Sequence, residues 1–208
     1  MTLLLVRHGR TASNVSKALD SRPPGAPLDQ VGLAQAAAVG DRLTSWPVSA
    51  VYASAAPRAQ QTAAPIADAH GLPVQVLDGV QEVFCGDLEG RTDDPARALF
   101  DETYAAWWNG DFGAHLPGGE SAHDLHARYL PAVERITAGV SGAVVLVSHG
   151  AAIRLAAAAL LGEPGVTRYV PNTGLVALER GPDGWALKHW DEAPAVAGDV
   201  TAGGPPAF

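Results

Sequence analysis

Apolar positions in this chain follow two patterns. The first is the short unbroken run. LLLV at residues 3–6 is bounded by polar neighbours and reads as a strand buried on both faces. VSAVYAS at 48–54, VQVL at 74–77 and AVVLV at 143–147 read as strands too. The second pattern places apolar residues every three or four positions, with helix punctuation. DQVGLAQAAAVGDRLTSW begins on Asp29, which stands as an N-cap. PRAQQTAAPIADAHG starts on Pro57, suited to a first helical turn, and stops near Gly71. DDPARALFDETYAAWWNG predicts a helix capped by Asp94, with Pro95 at its start and Gly110 at its end. SAHDLHARYLPAVERITAG predicts another, capped by Ser121, with Asp124 at the capping-box position and a kink at Pro131. A long alanine-rich helix follows AVVLV, and GLVALE and WALKHW form a closing hairpin around GPDG.

Strands that alternate with helices imply an α/β fold. The expectation is a three-layer sandwich whose mostly parallel sheet carries helices on both faces. The chain of 208 residues suits a single domain. Residues 1–191 form it, with a helical lid inserted over about 83–120. Residues 192–208 are rich in Pro, Gly and Ala and are expected to be a mobile tail.

Composition narrows the function classes. The net charge of -8 argues against a general nucleic-acid surface, which needs a basic stripe. Cys85 is the one cysteine, so no internal disulfide is expected. The first residues lack a signal-peptide pattern, and no apolar window approaches the roughly 18 to 20 residues of a membrane span. A cytoplasmic protein without a membrane partner is the expectation, and its oligomeric state is not readable.

The chemistry gathers at strand ends. In open α/β sheets ligands bind outside the carboxyl ends of the strands. Past the first strand come Arg7, His8, Gly9, Thr11 and Asn14. Past the second comes Arg58, past the third Glu82, and past the fourth His149 and Gly150. Two converging guanidinium forks suit a phosphate or carboxylate. Helix N-termini beside Arg58 and Gly150 add backbone N–H donors for an anion. A neutral imidazole can attack phosphorus, and a carboxylic acid can protonate the departing oxygen. Each residue alone is more simply a structural histidine or a surface charge; their joint placement after successive strands points to chemistry.

The ordered set RHG with Thr11 and Asn14, LDQVGLAQA, SAAPRAQQT, Glu82 followed by GDLEG, PGGES and SHG resembles the histidine phosphatase superfamily, which includes the cofactor-dependent phosphoglycerate mutases. The resemblance runs from residue 3 to about 174 and implies a phosphoglycerate mutase-like fold. It further implies His8 as the nucleophile that becomes phosphohistidine, and Glu82 as proton donor. Arg7, Arg58 and His149 would hold the phosphoryl group, assisted by Asn14 and the Gly150 amide. It calls for no metal or other cofactor. Three positions depart from the family pattern: Arg10 stands where an acidic residue or Gln is common, Ala56 replaces a leucine, and PLD at 27–29 replaces PLT. Arg10 is expected to point to solvent.

A phosphatase acting on a small phosphorylated metabolite is the expected activity. A mutase would need further cations and a basic, tyrosine-containing stretch after Glu82, where this chain has EVFCGDLEG with Arg91 as its first basic residue. A non-catalytic phospho-ligand sensor would be expected to have lost His8, Glu82 or His149. His123 and His126, one turn apart, with His115 nearby, lack the four-ligand spacing of a zinc site. Substrate-lid candidates are Arg22, Phe84, Trp107, Trp108, Phe112 and His115. Adjacent tryptophans point about 100° apart on a helix, so one is expected in the core and one near the site, although both packing against the sheet fits the spacing equally well.

Overall fold

The computed structural model describes residues 1–163 and 168–192; the tail expected over 192–208 lies outside them except for Glu192. A six-stranded sheet runs through the molecule in the order β3-β2-β4-β1-β5-β6. Its strands are β1 (Thr2–Arg7), β2 (Val48–Ala53), β3 (Val74–Val76), β4 (Ala143–Ser148), β5 (Leu175–Gly181) and β6 (Gly184–Trp190). β1 to β4 pair parallel, and β5 and β6 add antiparallel on the β1 side. The sheet is mixed, with a parallel heart and the hairpin read from GPDG at one edge.

The central strands are buried on both faces because helices cover both. Leu3, Leu5, Val144, Leu146, Val176 and Leu178 pack beneath α4 (Asp94–Trp108), α5 (Ala122–Thr137) and α6 (Gly150–Leu161). Leu4, Val6, Val145, Val147 and Ala177 face α2 (Gln30–Leu43) and α3 (Pro57–His70). This two-sided burial is why LLLV and AVVLV are continuous apolar runs rather than alternating ones. A five-residue helix, α1 (Ala12–Ser16), follows the RHG turn; it was not expected, since its apolar content is too low to give a period.

Caps match the sequence closely but not throughout. Asp29 accepts from Gly32 N, and Ser121 with Asp124 forms a complete capping box. The helix assigned to Asp94 is capped instead by Asp93, whose carboxylate accepts from Ala96 N. With two adjacent aspartates, the extended backbone of Asp93 (φ -77°, ψ 152°) settles the choice, because an N-cap is non-helical and Asp94 is already in the helix. Arg10 does not point freely into solvent. Its Nε bonds Asp29 Oδ2 at 2.9 Å. Two of the three departures from the family pattern are therefore partners: the aspartate that replaces a threonine both caps α2 and neutralises the arginine.

Candidate active site

Strand register builds the centre of the site. β1 and β4 pair parallel with Arg7 opposite Ser148, so the next residues, His8 and His149, emerge side by side. Their rings lie 5.2 Å apart, centroid to centroid, edge to face. β4's other neighbour, β2, leads into α3, whose first turn carries Arg58. His8, His149 and Arg58, read separately from three strand ends, come together here, with Arg58 close enough to act electrostatically on both rings.

His8 is buried, and its Nδ1 lies 2.7 Å from Gly9 O. A carbonyl only accepts, so Nδ1 carries the proton. Burial pushes the His8 pKa well below its ordinary value, and Arg58 and Arg7 push the same way. The ring is neutral at pH 7 and its lone pair sits on Nε2. His149 is buried as well, its pKa lowered by burial, then by Arg58 and by His8. Its Nε2 lies 2.7 Å from Ser54 Oγ. Ser54 Oγ also accepts from Ala56 N at 3.4 Å, and its own proton has no acceptor other than His149 Nε2 among the described residues. The His149 proton then resides on Nδ1, which is buried with no hydrogen-bond partner among the described residues.

Two of the other buried donors in that condition belong to the phosphate-binding candidates: Arg7 Nε and Arg58 Nη1. Arg7 is anchored by its Nη1 to Val170 O at 2.8 Å and to the Tyr169 hydroxyl. Arg58 is anchored by its Nη2 to Asp20 O, while Nη1 stands 3.6 Å from Asp20 Oδ1, beyond hydrogen-bonding range. Each guanidinium is thus held by one arm and leaves another buried donor unused. Buried donors are rarely left so, because desolvation without a partner costs about 1 to 3 kcal/mol each. A tetrahedral oxyanion would satisfy them. Gly150 opens α6, and a Cβ there would meet Arg7 Nε at 3.2 Å, so a side chain would crowd the guanidinium.

Glu82 sits at the N-terminus of α6. Its carboxylate accepts from Ala152 N at 2.9 Å, Ala151 N at 3.2 Å and Val83 N at 2.9 Å. Asn14 Oδ1 accepts from Thr11 N, Thr11 Oγ1 and Asn172 Nδ2, so its amide NH2 is the end left to serve an anion.

The lid candidates divide. The Arg22 guanidinium lies over the Phe84 ring, 4.6 Å from its centroid, and the loop that carries Arg22 also packs Gly25 against Arg58. These two therefore stand at the loop that packs on Arg58. Trp107 is fully buried, with its Nε1 donating to Ala114 O, and is corrected to a core residue. Trp108 faces a cavity lined also by Phe112, His126, Leu155, Ala158 and Ala159. That cavity flanks the second half of α6, whereas the phosphate-binding candidates meet at its first residue; Trp108 and Phe112 are therefore corrected to a position away from them. His115 is exposed and pairs its backbone with Ser121. Among the described residues, no three His, Cys, Asp or Glu side chains cluster as a metal would need, and no helix is long and apolar enough to cross a membrane.

Several contributors were not read from sequence. Ser54 fixes the His149 tautomer. Thr62 Oγ1 accepts the Gly9 N–H. Asn172 Nδ2 holds His8 O at 2.9 Å, and Thr173, at φ 57°, donates its N–H to Arg7 O. A left-handed threonine is costly, and such backbone concentrates beside functional sites. The one sequence signal was PNTG, a turn placed just before a strand.

Comparison with known proteins follows the same lines. The profile described as histidine phosphatase superfamily (branch 1) matches residues 3–193. A Yersinia pestis protein named "Probable phosphoglycerate mutase GpmB" is 33% identical, over 91% of this chain and 90% of its own. A PE-PGRS family protein of Mycobacterium tuberculosis is 29% identical over 91% of this chain, but the chain spans only 36% of that protein. Among solved structures, a mycobacterial glucosyl-3-phosphoglycerate phosphatase superposes with a TM-score of 0.81 at 28% identity, covering 92% of this chain and 99% of the other. The α-ribazole phosphatase of Shigella flexneri gives 0.74 at 27%, covering 94% and 98%.

Proposed function

The chain belongs to branch 1 of the histidine phosphatase superfamily, and on that premise we propose that it hydrolyses phosphomonoesters through a phosphohistidine on His8. The observation that carries the proposal is the set of three unpartnered buried donors, Arg7 Nε, Arg58 Nη1 and His149 Nδ1, around a neutral His8 whose tautomer leaves Nε2 free.

The reaction proceeds in two displacements. The phosphoryl oxygens take up the three waiting donors, with Asn14 and the Gly150 amide assisting. His8 Nε2 attacks phosphorus in line, and the bond between phosphorus and the ester oxygen breaks. Glu82, which enters this step as the carboxylic acid, delivers its proton to that oxygen and the alcohol leaves. Glu82, now a carboxylate, takes a proton from water; the water oxygen attacks phosphorus, the P–N bond breaks, and phosphate departs. Charge in both transition states is met by fixed donors placed beforehand, the main electrostatic resource in phosphoryl transfer. No metal enters the scheme, and loss of turnover in a chelator would overturn that part of it.

The substrate we propose is a small monoester with a sugar or other organic body. Arg22 and Phe84, at the loop that packs on Arg58, supply one stacked cation and one aromatic face. Identity to a protein named as a mutase raises the alternative of phosphoryl isomerisation. Against it, no basic residue lies between Glu82 and Arg91, and Arg91 is exposed with its guanidinium bound to Asp93 at 2.6 and 2.9 Å. Incubation with a panel of phosphorylated metabolites decides: release of inorganic phosphate supports hydrolysis, and isomerisation without release would sink it.

A further inference from the structure

PGGES stands out as a motif in the sequence, yet its glutamate touches none of the phosphate-binding candidates. Glu120 instead grips Arg128 of α5 through both oxygens, at 2.7 Å to Nε and 2.6 Å to Nη2. Its Oε2 also accepts the Phe84 N–H at 3.0 Å. The rest of the Arg128 guanidinium turns to the segment before Phe84. Nη1 donates to Gly79 O and Gln81 O, and Nη2 to Glu82 O, each at 2.9 Å. A guanidinium has five N–H donors, and here all five are used. The carbonyl that Arg128 skips, Val80 O, accepts from Ser148 Oγ at 2.7 Å, the residue before His149. Four consecutive carbonyls leading into Glu82 are thereby fixed. Gly79 adapts the chain to this seat: its φ is 91°, and a Cβ would come within 2.8 Å of Arg128 O.

We propose that Glu120 and Arg128 are positioning residues for Glu82, holding its carboxyl group where it can protonate the leaving oxygen without themselves meeting substrate. This rests on the phosphatase reading above. The need for such a device follows from topology. Glu82 lies on an irregular stretch after the short edge strand β3 and has no strand register to place it, unlike His8 and His149. Misplacing a catalytic group by about 1 Å can cost roughly a hundredfold in rate, and a guanidinium saturated by backbone carbonyls defines a loop better than packing alone.

The test uses Arg128→Ala and Glu120→Gln in the full chain, assayed with p-nitrophenyl phosphate and with glycerol phosphate beside the unaltered protein. A nitrophenolate leaves unaided, whereas an alkoxide needs the proton. On glycerol phosphate kcat/KM, which reports formation of the phosphohistidine alone, should fall by about thirtyfold or more. On p-nitrophenyl phosphate the loss in kcat/KM should stay below about threefold, and the phosphohistidine should still form. Added guanidinium ion should restore part of the glycerol phosphate activity of Arg128→Ala. Equal losses in kcat/KM on both esters, or no loss on either, would overturn the positioning role. If Arg128→Ala does not fold, Glu120→Gln decides by the same ratio. Unaltered protein that forms no phosphohistidine would overturn the functional reading itself, a result distinguishable from uniform loss in the variants alone.

Discussion

The Nδ1–H of His8 donates to the carbonyl oxygen of Gly9, 2.7 Å away. The bond joins a residue to its own neighbour, and it settles which nitrogen can act. With Nδ1 engaged, Nε2 is the nitrogen that keeps a lone pair. His8→Ala should therefore lose turnover by about a thousandfold or more, and no acid-labile phosphoenzyme should be trapped on a rapid quench with labelled substrate. Near-normal turnover in that variant would reject the nucleophile assignment.

Glu82→Gln keeps the size of the side chain and removes the transferable proton. The expected loss in kcat/KM, which reports the phosphorylation step alone, is about a hundredfold on an alkyl phosphate and under about tenfold on p-nitrophenyl phosphate. A Brønsted plot of kcat/KM against leaving-group pKa should steepen; an unchanged slope would remove Glu82 from the proton-donor role.

Ser54 never meets the phosphate in this scheme, yet it decides the tautomer of His149. In Ser54→Ala the ring loses the donor at Nε2, and Nδ1 can present a lone pair to the anion instead of a proton. Phosphate affinity, read by calorimetry as inhibition-competent binding, should drop about tenfold, with about 1 kcal/mol of folding stability lost. Unaltered phosphate binding would show that the tautomer is set by other means.

Burial lowers the pKa values of both His8 and His149. The sign for stability follows. Unfolding exposes both rings, and below about pH 6.5 the unfolded chain binds protons that the folded chain does not. Stability is then fully present above that pH and declines as pH falls from 6.5 toward the depressed folded values. The slope approaches about 1.4 kcal/mol per pH unit for each histidine. Denaturant midpoints measured from pH 7.5 to 5 should show this decline, and His8→Phe should reduce its slope. A flat profile would contradict the burial of neutral rings.

How much of this was legible in the sequence depends on where each residue sits. His8, His149 and Arg58 could be placed because continuous apolar runs mark buried strands, and a residue just past such a run must reach the sheet's carboxyl edge. Asp29 and Ser121 could be placed because a cap is a local bond, complete within four residues. Arg128, Ser54 and Asn172 could not. Their partners lie some 50, 95 and 160 residues away in sequence, and no local period points to them. Trp107 and Trp108 were separable in principle, since they occupy different helix faces, but which face meets the sheet was decided by Tyr104 and the other buried residues of α4.

The register of β1 against β4 places the two histidines, and that has a consequence for how the protein matures. Leu3 pairs with Val144, about 140 residues distant, so this contact closes a long loop, and the pairing of Leu3 with Leu178 on the other side of β1 closes a longer one. Partly folded forms that have made only their local helices and the β5–β6 hairpin can hold neither ring in place. Enzymatic turnover therefore cannot return before the middle of the sheet has zipped in register. In a refolding experiment phosphate release would serve as a clock for that single long-range event, read without any label on the protein.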